Sequence, residues 1–327
     1  MSGFTTRRIP PGLRLALAIL PALLAACAPQ EPPLRIGTHA WVGYESLCLA
    51  QELGELPPGV ALQHGQRAAD TMAALRAGSV DAGTLTLDEM LQLRAAGTPL
   101  TAVLIFDSSS GADVLLARPG IGRLQDLAGR RIGYEPSAVG ALVLAAALAQ
   151  AGLSERAVTP VELPLTEQVA AWKAGRVDAM VTYEPTAAQL QAQGAVRLFD
   201  SRQMPDTIFD VLAVRRDRIG NRTAALRKTV ETHFRMRAYL NRNRDDAVYR
   251  MAEHQGVTAE DVRRALAGVT LPELAGNRYA LQPGSRFEVA AQRLHRLMVE
   301  RGMLVKPDAL TGLFTADYLP TAAMNPR

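Results

Sequence analysis

One hexapeptide pattern occurs twice and constrains the fold more than any other feature. Ala77-Gly78-Ser79-Val80-Asp81-Ala82 and Ala174-Gly175-Arg176-Val177-Asp178-Ala179 each follow a helix-like run, 71–76 and 167–173, and lead into a short apolar stretch. A glycine just past a helix takes the left-handed conformation that ends it. The Val-Asp-Ala that follows reads as the start of a buried strand. Polar residues stand at the far end of each: Thr86-Leu87-Asp88-Glu89 in the first unit and Thr182-Tyr183-Glu184-Pro185 in the second. Open α/β sheets bind ligands at the carboxyl ends of their strands. Two such units predict two similar lobes facing one cleft.

The first residues read as an export signal rather than as fold. Arg7, Arg8 and Arg14 form a positive start, and 15–26 is an apolar run short for a membrane span. The run ends in Leu24-Ala25-Ala26-Cys27, which resembles a bacterial lipobox, with 1–26 removed and Cys27 acylated as the new N-terminus; an ordinary signal peptide is the alternative. Residues 27–33, rich in proline, then form a tether. Without the leader the formal charge of +4 falls to about +1, which gives little reason to expect nucleic-acid binding. Only Cys48 is left, so no internal disulfide can form and stability must come from the core.

A strand at 34–37 opens the domain and runs into a loop holding Trp41, Gly43 and Tyr44, ahead of a helix at 46–53. Aromatic side chains make up only 5% of the chain. Their concentration at one strand's carboxyl end predicts a stacking wall for a ligand; core packing by Trp41 and Tyr44 is the competing role. His39 has no second His or Cys at metal-ligand spacing and reads as a hydrogen-bonded loop residue. Strands are expected near 60–63, 101–106, 114–117, 132–134, 158–163, 177–182, 196–199 and 208–214. Asp107, Asp113 and Glu135 fall in loops between them. Arg118-Pro119-Gly120 reads as one crossover between lobes and 200–207 as the return. Ser137 is an N-cap candidate for an Ala/Leu-rich helix to about Ala151, whose first N–H groups, around Ser137, Ala138, Val139 and Gly140, could hold an acceptor. Glu184 either serves the start of the next helix or meets the ligand. Asp210 stands among apolar neighbours, and a buried acid needs a partner. The rest is helical, with the apolar stripe Leu226, Val230, Phe234 and Ala238 typical of a helix packed on a core.

Taken together, the lipobox, Ile-Gly-Thr-x-x-Trp-x-Gly-Tyr-Glu (36–45), the two Gly-x-Val-Asp-Ala units, Leu-Thr-Leu-Asp-Glu (85–89), Gly-Ala-Asp (111–113), Leu-x-Asp-Leu-x-Gly-Arg-Arg-Ile-Gly (124–133) and Val-Thr-Tyr-Glu-Pro (181–185) resemble the NMT1/THI5-like solute-binding proteins of ABC importers. That group takes in nitrate, sulfonate, taurine and thiamine-pyrimidine binders. The resemblance runs from about Leu34 to Leu319. It implies an α/β, two-lobed, periplasmic-binding-protein-like (type II) fold with a central cleft and two interlobe crossovers. Lobe 1 would comprise 34–117 plus 208–327, and lobe 2 118–207, closing on ligand by hinge motion. It further implies a small-molecule ligand, ABC permease and ATPase partners, a lipid-anchored extracytoplasmic monomer, and neither cofactor nor metal. The ligand-binding positions carried over are Trp41, Gly43, Tyr44, Thr86, Asp88, Ser137 to Gly140, Tyr183 and Glu184, to which the residues themselves add Asp107 and Asp210.

The acids Asp88, Asp107, Asp113, Glu135, Glu184 and Asp210 populate the expected cleft loops, whereas Arg and Lys are absent from them. A bare anion would be repelled there. An aminopyrimidine or an amine-bearing molecule is therefore favoured over a nitrate or sulfonate anion, which remains the alternative. An enzyme of pyrimidine or menaquinone-precursor type on the same fold is a further alternative, but pyrimidine-forming relatives carry clustered cysteines and histidines that this chain lacks.

Overall fold

The structure is a computed structural model that describes residues 32–135 and 138–321. Cys27 and Ser137, and the whole leader and most of the tether, lie outside these residues.

The described chain from Leu34 onward builds two mixed sheets. The first contains β1 (Leu34–Thr38), β2 (Val60–His64), β3 (Ala82–Thr86), β4 (Leu100–Ser109), β10 (Phe209–Arg215) and the short β11 (Val269–Thr270), in the order β11-β4-β10-β3-β1-β2. The second contains β5 (Asp113–Ala117), β6 (Arg131–Tyr134), β7 (Thr159–Glu162), β8 (Ala179–Tyr183) and β9 (Val196–Asp200), in the order β7-β6-β8-β5-β9. The two orders repeat one plan. In each sheet one strand, β1 or β6, lies between two parallel neighbours, β2 and β3 or β7 and β8, and an antiparallel strand, β10 or β5, pairs with β3 or β8.

Helices fill the crossovers as their apolar spacing predicts. In the first lobe these are α1 (Glu45–Glu52), α2 (Ala68–Ala77) and α3 (Leu87–Ala95); in the second, α4 (Ala138–Ala151), α5 (Leu165–Lys173) and α6 (Thr186–Gln191). The C-terminal third adds α7 (Thr223–Arg242), α8 (Arg244–Gln255), α9 (Ala259–Ala267), α10 (Leu274–Ala280) and α11 (Arg286–Glu300). The stripe on α7 behaves as read: Leu226, Val230 and Phe234 are buried in the main core. A smaller cluster packs Val42 and Leu49 against α7, α8 and α9.

The duplicated hexapeptide is a clip between a helix end and the neighbouring strand. Gly78 and Gly175 both take positive φ, +73° and +69°, ending α2 and α5. Asp81 then accepts from the backbone N–H of Arg35 at 3.0 Å and pairs with its guanidinium, which also reaches the Gly78 carbonyl at 3.2 Å. The second unit repeats each contact: Asp178 accepts from the Arg131 N–H at 2.9 Å, pairs with its side chain, and the Gly175 carbonyl accepts from Arg131 at 2.9 Å.

Two expectations need correction. Asp113–Ala117 belongs to the second sheet, paired with β8 and β9, so the chain first crosses at 110–112 rather than at Arg118–Gly120. The sequence shows two adjacent apolar strands and invites a hairpin; the pairing partners, more than sixty residues away, decide otherwise. Asp107 is not in a loop either. β4 runs on to Ser109, and Asp107 sits opposite Asp210 in the β4–β10 register. The two crossovers lie side by side, tied by the Ser109 and Ser201 hydroxyls at 2.7 Å and by the Gly111 N–H donating to Ser201 Oγ at 2.6 Å.

Candidate functional site

The carboxyl ends of β1, β3 and β8 open onto a cavity of about 220 Å³. Its walls include Trp41 and Tyr44 from the loop after β1, Thr86 at the end of β3, Tyr183 at the end of β8 and Asp210 at the start of β10. A second, larger hollow of about 510 Å³ continues past Trp41 and Tyr183 toward Glu184 and Gln255.

Trp41 and Tyr183, one ring from each lobe, both line the cavity. Trp41 and Tyr183 meet edge to face, centroids 5.7 Å apart and planes at 85°. Trp41 is held by Asp107, whose Oδ2 accepts from the indole N–H at 3.1 Å. Gly43 enables this without lining the cavity: a Cβ at that position would lie 1.6 Å from Asp107 Oδ2. Tyr44 is buried, and its hydroxyl donates to Asp210 Oδ1. Asp210 thus has the partner that its apolar setting demanded, and that partner belongs to the protein.

Asp107 and Asp210 face each other in full burial. Burial raises both, and their mutual repulsion raises Asp210 further; Asp107 is pushed up to about 7. With both ionised, Asp107 Oδ1 would have no hydrogen-bond partner. A single proton held by Asp210 and offered to Asp107 satisfies the pair. Burial also lifts Glu89, to about 8 with help from the Asp88 charge, and Asp113, to about 6. Glu135 is raised by burial as well, although Arg67 and the Tyr183 hydroxyl pull the other way.

Two expected ligand groups are turned to other work. Asp88 is buried and does not line the cavity; burial raises it, while the nearby Thr86 hydroxyl and backbone N–H groups, that of Val139 on α4 among them, pull the other way. Val139 itself lines the cavity. Gly140 packs with no room for a Cβ, which would sit 2.4 Å from the Glu135 carbonyl. Ala138 opens α4, but its side chain is not described. Glu184 lines the larger hollow, and its Oε2 accepts from the Ala188 N–H at 3.1 Å, serving the start of α6.

Sequence reasoning missed the cation. Arg67, in the loop after β2 and immediately before α2, lines both hollows, and among the described lining residues it is the only Arg or Lys. Its nearest acid, Asp70, is 3.8 Å away, and its side chain is 63% exposed, so it can move to meet a ligand. Ala68 and Ala69, the first residues of α2, stand beside it. The signal is in the sequence: Arg67 follows the carboxyl end of the strand at 60–63 and precedes the helix-like run at 71–76. His39 also lines the cavity; burial lowers it to about 4, and its Nδ1 has no partner. Glu89 and Gln92, on the cavity side of α3, complete the set.

A model of proteins described as NMT1/THI5 like matches residues 59–247, more than half of the chain. This chain belongs to the NMT1/THI5-like family. Among curated relatives, this family member is 29% identical over 147 residues to the aliphatic sulfonates-binding protein of Escherichia coli K12, covering 44% of this chain and 46% of that protein. It is 28% identical over 152 residues to the taurine-binding periplasmic protein of the same organism, covering 46% and 47%. The chain therefore matches about half the length of these curated relatives. Solved structures extend the likeness of fold to nearly the whole domain. The crystal structure of the periplasmic aliphatic sulphonate binding protein of Escherichia coli superposes with a TM-score of 0.73 at 21% identity, over 87% of this chain and 97% of that one. A desulfurization enzyme shares the fold too, with a TM-score of 0.65 at 19% identity over 87% and 97%. Fold alone thus does not separate binder from enzyme. Cys48 lines neither hollow, and no cysteine does so among the described residues.

Proposed function

We propose that this NMT1/THI5-like protein is the extracytoplasmic solute-binding component of an ABC importer, and that it captures a small zwitterion, an amine-bearing sulfonate or carboxylate, between its lobes. One observation carries the reading: Arg67 and the start of α2 line the same cavity as the acids Glu89, Asp113, Glu135 and Asp210. An anionic group is matched to the guanidinium. An ammonium is matched to the carboxyls, which take it in place of the proton that the Asp107–Asp210 pair holds in the ligand-free state. The presence of Arg67 revises the charge argument from sequence: the cleft is mixed in sign, and an anionic group on the ligand no longer faces uniform repulsion. The relatives named for taurine and for aliphatic sulfonates support the same chemical class.

The test is calorimetry on the domain with taurine, an alkanesulfonate, N-acetyltaurine, nitrate and an aminopyrimidine. The aminosulfonate is expected to bind best, N-acetylation to weaken it at least tenfold, and Arg67→Ala to do the same. Tighter binding of nitrate or of the aminopyrimidine would overturn the zwitterion reading, and hydrolysis of any of these compounds would overturn the binding-protein reading.

A further inference from the structure

Outside the cleft, three elements bring metal-ligating side chains to one point. Cys48 on α1, His64 at the end of β2 and His254 near the end of α8 each offer a ligand atom, and these atoms lie within 4.8 Å of one another. The two imidazoles sit with centroids 5.4 Å apart. A tetrahedral ion with metal–sulfur and metal–nitrogen bonds of about 2.0–2.3 Å asks for ligand atoms roughly 3.3–3.8 Å apart. Closing the difference takes a movement of about 1 Å, and both histidines are exposed side chains able to make it. Cys48 is the buried member and a free thiol.

A second observation points the same way. His254 Nδ1 lies 3.0 Å from Oε1 of Glu45, a carboxylate buried to 2% exposure that also accepts from Gln255 at 3.0 Å. A metal-ligating histidine is oriented by just such a contact: one ring nitrogen donates to a carboxylate, which leaves the lone pair of the other for the ion. His64 is held comparably, its Nε2 lying 2.9 Å from the Gln51 side-chain oxygen, which leaves Nδ1 for a ligand bond. Glu45, Cys48 and Gln51 follow one another at intervals of three along α1, so all three sit on one helix face.

We propose that Cys48, His64 and His254 form a binding site for a thiolate- and imidazole-preferring divalent transition metal, Zn(II) foremost, with Glu45 and Gln51 orienting the two imidazoles. One sulfur and two nitrogens make a donor set that suits zinc, cobalt or copper and disfavours magnesium and calcium, which take oxygen. On binding, the metal–sulfur bond forms as the thiol proton leaves to solvent; no electron is transferred. A water molecule completes the fourth position. The ion would tie α1, β2 and α8 together next to the cleft, since Gln255 and Val257, just past His254, line its larger hollow.

The full chain carrying Cys27→Ser, in which Cys48 is the remaining thiol, is titrated with Co(II) and then with Zn(II). Expected are one equivalent of cobalt with an intense tetrahedral visible spectrum and a near-ultraviolet thiolate charge-transfer band, displaced by zinc and unaffected by magnesium. Cys48→Ser removes the charge-transfer band, and His64→Gln and His254→Gln each weaken cobalt binding at least tenfold while circular dichroism stays native. Both histidines are exposed, so their variants remain informative even if Cys48→Ser fails to fold. Absence of the band in the parent protein, its persistence in Cys48→Ser, or unchanged cobalt affinity in both histidine variants would overturn the proposal.

Discussion

The two hexapeptide clips make the same bonds in unequal surroundings. The Asp81 side chain is 1% exposed and its partner Arg35 37%, whereas Asp178 and Arg131 are 21% and 45% exposed. Burial works against ionised Asp81, yet the Arg35 guanidinium and backbone N–H still hold it below the usual carboxylate range. Asp178 is lowered too, chiefly by Arg131, but in contact with water. The strand ends diverge further. In the first lobe Thr86 and Glu89 face the cavity, while in the second Tyr183 faces it and Glu184 is occupied with α6. Duplicated topology therefore fixes where side chains arrive, and the surroundings decide what each is worth. The cleft is chemically asymmetric as a result, with Trp41, Tyr44, Arg67, Glu89 and Asp210 from one lobe and Asp113, Glu135 and Tyr183 from the other.

The sharpest way to break this comparison is to remove each clip. Asp81→Ala strips the partly exposed Arg35 guanidinium and a backbone N–H of their buried acceptor and should lower unfolding free energy by about 1–3 kcal/mol. Asp178→Ala should cost distinctly less, because water replaces the lost carboxylate. Equal midpoints in urea would show that burial does not distinguish the clips.

Next come the rings that the two lobes contribute. Trp41→Ala and Tyr183→Ala should each weaken the best ligand by about tenfold to a hundredfold, roughly 1.4–2.8 kcal/mol, with the fold intact. Calorimetry that finds only the Trp41 variant impaired would place the ligand on the first lobe alone.

The buried acids of the first lobe set a pH dependence. Asp107 titrates near 7 and Glu89 near 8 when folded, both above the unfolded carboxylate range. The folded state thus holds protons that the unfolded chain has released. Their contribution is fully present below about pH 4 and is lost as pH rises through 7 and 8, by up to about 1.4 kcal/mol per pH unit for each proton. His39 and His233, lowered by burial to about 4 and about 3, act oppositely, but only as pH falls below 6.5. Ligand-free protein should therefore be more stable at pH 6.5 than at pH 8, and Asp210→Asn should flatten that slope. A slope unchanged by Asp210→Asn would remove the Asp107–Asp210 pair as its source.

The smallest effect is expected at the second lobe's acid. Glu184→Gln should alter ligand affinity less than threefold, because Oε2 is already bound to the Ala188 N–H, and should lower stability by no more than about 1 kcal/mol. A larger affinity loss would return Glu184 to the ligand.

Local chemistry made much of this legible from sequence. Glycines after apolar helices, alternating apolar runs and the repeated Val-Asp-Ala located the helix ends, most strands and the two lobes, because those signals are written within ten residues. Trp41, Tyr44, Thr86, Tyr183 and Asp210 all come to line one cavity, because each stands at a strand end that its own neighbours define, although Tyr44 is also buried in the main core. What tertiary structure alone decided are the groups whose meaning depends on a distant partner. Asp113–Ala117 changed sheets because its hydrogen-bonding partners begin at Ala179. Asp107 became half of a proton-sharing pair because β4 meets β10 a hundred residues later. Asp88 is buried away from the cavity, and Glu184 accepts from the Ala188 N–H one turn on, which residue type does not reveal. Cys48, His64 and His254 show no ligand spacing along the chain, and only the packing of α1, β2 and α8 makes them neighbours. Sequence sets the periodicities that build each element; which polar side chains share one small, poorly hydrated volume is settled when those elements pack.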